Sequence, residues 1–192
     1  MLNKKGKVFV VSAPAGTGKT TLVKKLLEEF PHVKATVSCT TRPPRKGEVE
    51  GVDYFFIERQ AFEQKIKDGQ FLEHVKLYGD YYGTSKDSIQ KLQERGLDVV
   101  LVIDTEGALN IKKMMDATLI FIMPPSLDEL AARLENRKTE KTEERMKRLE
   151  WAKHEMEDAK YYDYMIVNDD LKAAYEVLRS IFIAEDHRMN KI

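Results

Sequence analysis

Five short apolar runs punctuate the chain: "VFVVS" (8–12), "ATVS" (35–38), "DVVLVID" (98–104), "TLIFIM" (118–123) and "YMIVN" (164–168). They are continuous rather than alternating, the pattern of strands covered on both faces in a parallel sheet. Helical spacing fills the intervals. Leu22, Val23, Leu26, Leu27 and Phe30 share one helix face, and Pro31 ends that helix. Ser126 and Glu129 stand at capping-box spacing at the head of "SLDELAARL". Met146, Leu149, Ala152 and Met156 predict a long helix starting near Thr142. Leu171, Ala174, Tyr175, Leu178, Ile181 and Phe182 predict the last one. Strands alternating with helices predict an α/β fold with a parallel five-stranded sheet flanked by helices.

Residues 39–84 break this rhythm. They hold a short helical stretch near 59–68, an alternating run "FLEHVKLY" and a turn at "YGDY". That pattern predicts a small, partly antiparallel sheet. The expected division is a core of residues 1–38 and 85–192 with an inserted arm of 39–84. The segment "ENRKTEKTEER" (135–145) is charged and almost free of large apolar residues, so it is expected to be a mobile loop or lid.

Bulk composition narrows the setting. The 192 residues suit one domain with small insertions. Lys plus Arg and Asp plus Glu both number 32, so bulk charge offers no hold on nucleic acid or membrane. A single cysteine, Cys39, rules out an internal disulfide and fits a reducing, cytoplasmic compartment. The N-terminal stretch reads as the first strand rather than a leader.

The chemistry begins at "SAPAGTGKTT". The phosphate-loop signature is G-x-x-x-x-G-K-[ST]. Gly18, Lys19 and Thr20 fit it, while Ala13 stands at the first glycine position. Small residues let the backbone N–H groups of Ala13, Pro14, Ala15, Gly16, Thr17, Gly18, Lys19, Thr20 and Thr21, proline excepted, wrap an anion. A helix beginning near Lys19 aims its positive end at the same point. Lys19 reaches the outer phosphates of a nucleotide, and the Thr20 hydroxyl is offered to Mg²⁺. Asp104 closes a buried strand, where open α/β sheets place ligands, and faces Mg²⁺ directly or through water. The plainer readings are a strand-to-helix turn and a helix-capping Asp. Arg42 and Arg45 flank a stiff diproline, with Tyr54 and Tyr82 nearby in the predicted arm. Such a group suits a phosphate monoester, or else is a solvated basic loop.

These stretches, with "GQFLEH", "YYGTS", "IDTEGA", "FIMPPSLDEL" and "YMIVNDDL", occur in an order that resembles the guanylate kinase family over about residues 6–184. The arm motif "SCTTRPPRKGEVEGVDYFF" is the most specific of them. The resemblance implies a P-loop NTPase-like core, a GMP-binding arm, and transfer of the γ-phosphate of ATP to GMP or dGMP with Mg²⁺. It implies that Arg42, Arg45, Tyr54 and Tyr82 hold the GMP phosphate. It assigns Ser38, Glu73 and Thr84 to the guanine, with Gly83 and Asp104 in the same substrate site. Lys19, Arg137 and Arg148 would act on the transferring phosphates. Two other readings stay open: a kinase for another nucleoside monophosphate, and an inactive family-like module that binds phosphorylated proteins. The sequence departs from the family pattern at Ala13, at Ala15, at Val102 (where a carboxylate is usual) and at Glu106 (where Gln is usual). Residues two apart on a strand share a face, so Val102 is expected to look the same way as Asp104.

Overall fold

In the computed structural model the described residues are 5–136 and 142–189. In chain order the elements are β1 (Val8–Ser12), α1 (Lys19–Glu29), β2 (Val33–Ala35), β3 (Cys39–Thr40), β4 (Phe55–Phe56), α2 (Arg59–Lys67), β5 (Phe71–Leu77) and β6 (Asp80–Ser85). There follow α3 (Lys86–Glu94), β7 (Asp98–Val102), α4 (Thr105–Met114), β8 (Thr118–Met123), α5 (Leu127–Asn136), α6 (Thr142–Asp158), β9 (Tyr164–Val167) and α7 (Leu171–Asp186). A five-stranded sheet has the order β2-β7-β1-β8-β9, and a four-stranded sheet the order β4-β3-β6-β5. Packing groups the chain into two compact units, residues 1–10 with 32–117 and residues 11–31 with 118–192.

In the first unit β2 pairs in parallel with β7, Val33 opposite Asp98 and Ala35 opposite Val100. The predicted strand at 35–38 therefore starts two residues too late and overlaps β2 only at Ala35. Val33, fully buried, is the anchor of the pairing, and Thr36 makes one last backbone bond to Val100. The chain then leaves for the smaller sheet, where β3 runs antiparallel to β6 and parallel to β4. The predicted hairpin is present as β5 and β6. Its turn places both Tyr78 (φ 53°) and Gly79 (φ 95°) in the left-handed region, the geometry that matches strand twist in a tight hairpin.

The arm has a core of its own. Phe62 of α2 stacks on Phe71 at 4.4 Å and on Tyr81 at 5.3 Å, with Cys39 buried beside them. Gly83 lies under this stack, and a Cβ there would stand 2.9 Å from the Phe62 ring. Only a residue without a side chain lets β6 pass so close.

In the second unit β8 and β9 pair in parallel. Leu22, Val23, Leu26 and Phe30 are buried as their spacing predicts. Ser126 caps α5 by accepting from the Glu129 amide at 3.0 Å. The packing of α5 on α6 centres on Leu130, Leu134 and Ala152. The inner face of α6 is rotated from the predicted stripe: Ala152 and Glu155 are buried, whereas Met146 is exposed. Of the segment predicted as a lid, Glu135 and Asn136 complete α5 and residues 142–145 begin α6. Residues 137–141 lie outside the described residues.

Replacing Phe62 by Ala should destabilise the protein by about 3–5 kcal/mol, the usual loss for a buried aromatic. Denaturant unfolding of the variant measures this.

Candidate active site

The phosphate loop belongs to the second unit. Ala13 is buried, and its φ is not positive, so the methyl at the first glycine position is accommodated. Gly16 (φ 97°) and Gly18 (φ 90°) take the two left-handed positions. Thr17 closes the loop on itself: its hydroxyl donates to the Pro14 carbonyl at 2.8 Å, and its amide to the same oxygen at 3.3 Å. Gly18 is the N-cap of α1, so the helix begins at Lys19 as expected. Thr20 and Thr21 are exposed on its first turn, with Lys19 half-buried.

A residue that received no role in the sequence reading secures this loop. Asn168, buried just after β9, donates its side-chain amide to the Thr17 carbonyl at 2.5 Å. Arg133 in turn donates to the Asn168 carbonyl at 3.0 Å. A Cβ at Gly18 would meet the Asn168 amide at 2.6 Å. The only signal in the sequence was a polar residue at the end of a buried strand.

The first unit holds a pocket of its own. A pocket is lined there by Ser38, Tyr54, Glu73, Tyr82, Gly83 and the segment Val102–Asp104, with Leu77. Val102, the last residue of β7, lines the same pocket as Asp104, but so does Ile103 between them, and Asp104 lies beyond the strand, so strand alternation is not what brings the two together. Asp104 is also the N-cap of α4, accepting from the Gly107 amide at 3.0 Å. Capping and pocket lining are both true of this residue.

Glu73 is 5% exposed. A glutamate this well covered is unusual, because an ionised carboxylate loses its hydration on burial. The register of β5 on β6 shifts between Phe71 and Glu73, which sets Glu73 opposite Thr84. Such bulges re-aim side chains. The Thr84 hydroxyl donates to Glu73 Oε1 at 2.6 Å, and Ser38 Oγ stands 3.3 Å from Thr84 Oγ1. With its proton given to Glu73, Thr84 accepts from Ser38. The other carboxylate oxygen lies against the start of α4, where a Cβ at Gly107 would be 2.7 Å away. Burial pushes the Glu73 carboxyl up to about 7, and the negative charges of Asp104 and Glu106 add to the rise, while the Thr84 hydrogen bond opposes it. His74, next in the strand, is exposed on the opposite side.

The arm's basic group is half inside and half outside. Arg42 is buried, with its guanidinium over the Tyr54 ring at 5.2 Å and near Phe56 at 5.7 Å. Tyr54 and Tyr82 meet edge to face at 6.0 Å. Arg45 is exposed. Arg148 is half-buried on α6, and Arg137 lies outside the described residues.

The sequence model of the guanylate kinase family matches residues 5–185. The chain belongs to the guanylate kinase family. It is 60% identical to the guanylate kinase of Protochlamydia amoebophila over 189 residues, covering 98% of this chain and 96% of that one. It is 52% identical to the guanylate kinase of Chlamydia muridarum, covering 96% and 90% of the two chains. Among solved structures, the crystal structure of guanylate kinase from Anaplasma phagocytophilum superposes with a TM-score of 0.80 at 34% identity, over 97% of this chain and 89% of that one. No helix among the described residues is long and apolar enough to cross a membrane.

The environment of Glu73 gives this chain a pH signature. Its carboxyl is raised from 4.5 to about 7, so the folded protein holds the proton more tightly than the unfolded chain. The stabilisation is complete below the unfolded value and is lost as pH rises towards 7. Stability without ligand should therefore fall across that window, by on the order of 3 kcal/mol at 1.36 kcal/mol per unit. Urea midpoints at pH 5 and pH 7.5 measure it. The trend should flatten in Glu73→Gln.

Proposed function

We propose that this chain is an ATP:GMP phosphotransferase that converts ATP and GMP to ADP and GDP and accepts dGMP. One observation carries the choice of base: a buried carboxylate, Glu73, backed by two hydroxyls in a pocket of the arm unit. Guanine presents adjacent donors at N1–H and its 2-amino group, and an acceptor at O6. An ionised Glu73 accepts from both donors. Ser38 and Thr84 offer hydroxyls to the same base. Adenine has an acceptor at N1 and no 2-amino group, so the carboxylate meets a lone pair. A site built for such hydrogen bonds rejects a ligand that lacks them, because its own polar groups go unpaired. That argues against other monophosphates as the main substrate.

On this reading residues 39–84 form the acceptor arm of a core made of 1–38 and 85–192. Arg42, Arg45, Tyr54 and Tyr82 bind the GMP phosphate, and Gly83 and Asp104 belong to the same site. The loop from Ala13 to Thr21 binds the donor phosphates. A GMP phosphate oxygen, already ionised, forms a bond to the γ-phosphorus while the bond to the β,γ-bridging oxygen breaks and leaves with ADP. No general base is required. The protein's part is orientation and the stabilisation of charge on the transferred group. Lys19, Arg148 and Arg137 supply cations for it. The exposed Thr20 hydroxyl is a hard oxygen donor that fits Mg²⁺, which neutralises phosphate charge when bound. The alternative of an inactive phosphoprotein-binding module has no use for Gly18, Lys19 and Thr20, which this chain retains.

A coupled ADP-release assay over a panel of nucleoside monophosphates should show GMP, then dGMP, turned over far ahead of AMP, CMP and UMP. Equal turnover of AMP would overturn the reading. The KM for GMP should rise as pH falls below about 7, because the protonated Glu73 has lost one acceptor. In Glu73→Gln, GMP efficiency should drop by about 1–3 kcal/mol and that pH dependence should vanish. Lys19→Ala should keep the fold and lower kcat by at least about a hundredfold, the scale of one lost electrostatic contact to a transition state. Stopped-assay kinetics and circular dichroism of the same preparation separate the two effects.

A further inference from the structure

Glu48 is a carboxylate in the middle of the arm's basic group, where a phosphate dianion would be repelled by it. Its contacts give it a different part to play. Arg42 donates from one terminal nitrogen to Glu48 Oε2 and from the other to Glu48 Oε1, both at 2.7 Å. The first of these nitrogens also donates to the Pro43 carbonyl at 2.8 Å. The Arg45 backbone amide donates to Glu48 Oε2 at 2.7 Å, and the Glu48 amide returns a bond to the Arg45 carbonyl at 3.0 Å. One carboxylate therefore fixes the fork of Arg42 and the backbone that carries Arg45.

The donor count shows what remains. A guanidinium has five N–H donors. One terminal nitrogen uses two, on Glu48 and Pro43, and the other uses one on Glu48. These bonds leave two, Nε–H and the outer N–H of the second terminal nitrogen, with the Tyr82 side chain also close to the guanidinium. They lie side by side on one edge of the planar group, and Nε is buried without a hydrogen-bond partner. Such an edge is a second fork, matched in spacing to two oxygens of a phosphate or carboxylate. Pairing through the terminal edge and stacking on Tyr54 and Phe56 leave the guanidinium little freedom to turn.

We propose that Glu48 is a positioning residue for the acceptor phosphate: by holding the terminal edge of Arg42 and the amide of Arg45, it presents the Nε edge of Arg42 and the side chain of Arg45 together to a phosphate monoester. The inference rests on the reading that these two arginines bind the GMP phosphate. Glu48 stays ionised across the working range, because the Arg42 hydrogen bond holds its carboxyl below the usual carboxylate value. Gln at this position keeps the size but offers one acceptor oxygen, and its amide hydrogens face the guanidinium.

The test is full steady-state kinetics and thermal melting of the intact chain and of Glu48→Gln, Arg42→Lys, Arg45→Ala and the Glu48→Gln/Arg42→Lys double variant. In Glu48→Gln, kcat/KM for GMP should fall about ten- to a hundredfold, the scale of a small misplacement of a reacting group, with the KM for ATP unchanged. The double variant should lose less than the two single losses combined, because part of the effect of Glu48 passes through Arg42 and only the part carried by the Arg45 amide remains in the Arg42→Lys background. If Arg42→Lys and Arg45→Ala both leave GMP kinetics intact, the phosphate-site reading fails, and this inference with it. If they impair GMP use while Glu48→Gln lowers only the melting temperature, the phosphate site stands and Glu48 is merely structural. Additive losses in the double variant would also overturn positioning through Arg42. Should Glu48→Gln fail to fold, Glu48→Asp carries the test: it keeps the charge, draws it back by one methylene, and should show the same defect confined to GMP.

Discussion

A carboxylate buried away from water is the constraint around which the arm pocket is arranged. Glu73 is almost completely covered, and an ionised group in that position is unfavourable unless partners surround it. The protein supplies only some of them. Thr84 supplies hydrogen bonds from its hydroxyl and its backbone, Ser38 stands behind the Thr84 hydroxyl, and the start of α4 closes in so that a Cβ at position 107 would press on the carboxylate at 2.7 Å. The remaining acceptor capacity of the carboxylate is what a base with two adjacent donors can use. The upward shift of its proton affinity expresses the same incomplete compensation. Recognition of the base, on the reading proposed here, grows from a local instability that the correct ligand relieves.

On the proposed reading, the elements that would bind anions follow a different physical rule. The phosphate loop would rely on backbone amides and a helix start, which carry partial positive charge without the desolvation penalty of a full one. Its shape is enforced by two left-handed glycines, by the Thr17 to Pro14 closure, and by Asn168 reaching in from the end of β9. The arm instead uses full charges and has to restrain them. Arg42 is covered by aromatic rings and tied by a carboxylate, so its charge is kept in place by an opposite one. Fixing a long side chain in advance removes the entropy loss that would otherwise accompany ligand binding.

The sequence by itself determined the class of fold and the identity of the chemistry. The continuous apolar runs of β1, β7 and β8 are strands covered on both faces as their pattern predicts, whereas β9 leaves Met165 and Val167 exposed; Leu22, Leu26 and Phe30 form one side of a helix. These signals are local and periodic, so no tertiary information is required to read them. The same holds for the glycines and Lys19 of the phosphate loop and for the hairpin turn at Tyr78 and Gly79, whose backbone demands act over a few residues. Family resemblance was legible for the same reason, since its motifs are short contiguous strings. What only the tertiary structure decided were relations across long stretches of chain. The start of β2 depended on its register with β7, more than sixty positions away in sequence by the Val33 to Asp98 pairing. The burial of Glu73 depended on a bulge and on α4 arriving beside it, and a glutamate on an alternating strand carries no trace of either. Asn168 joined the phosphate loop through a contact spanning 151 residues. Glu48 was near Arg42 in sequence, yet its bidentate grip depended on how the turn after the diproline folds. Periodicity records which face of an element is covered; it does not record by what, and the site is made of those partners.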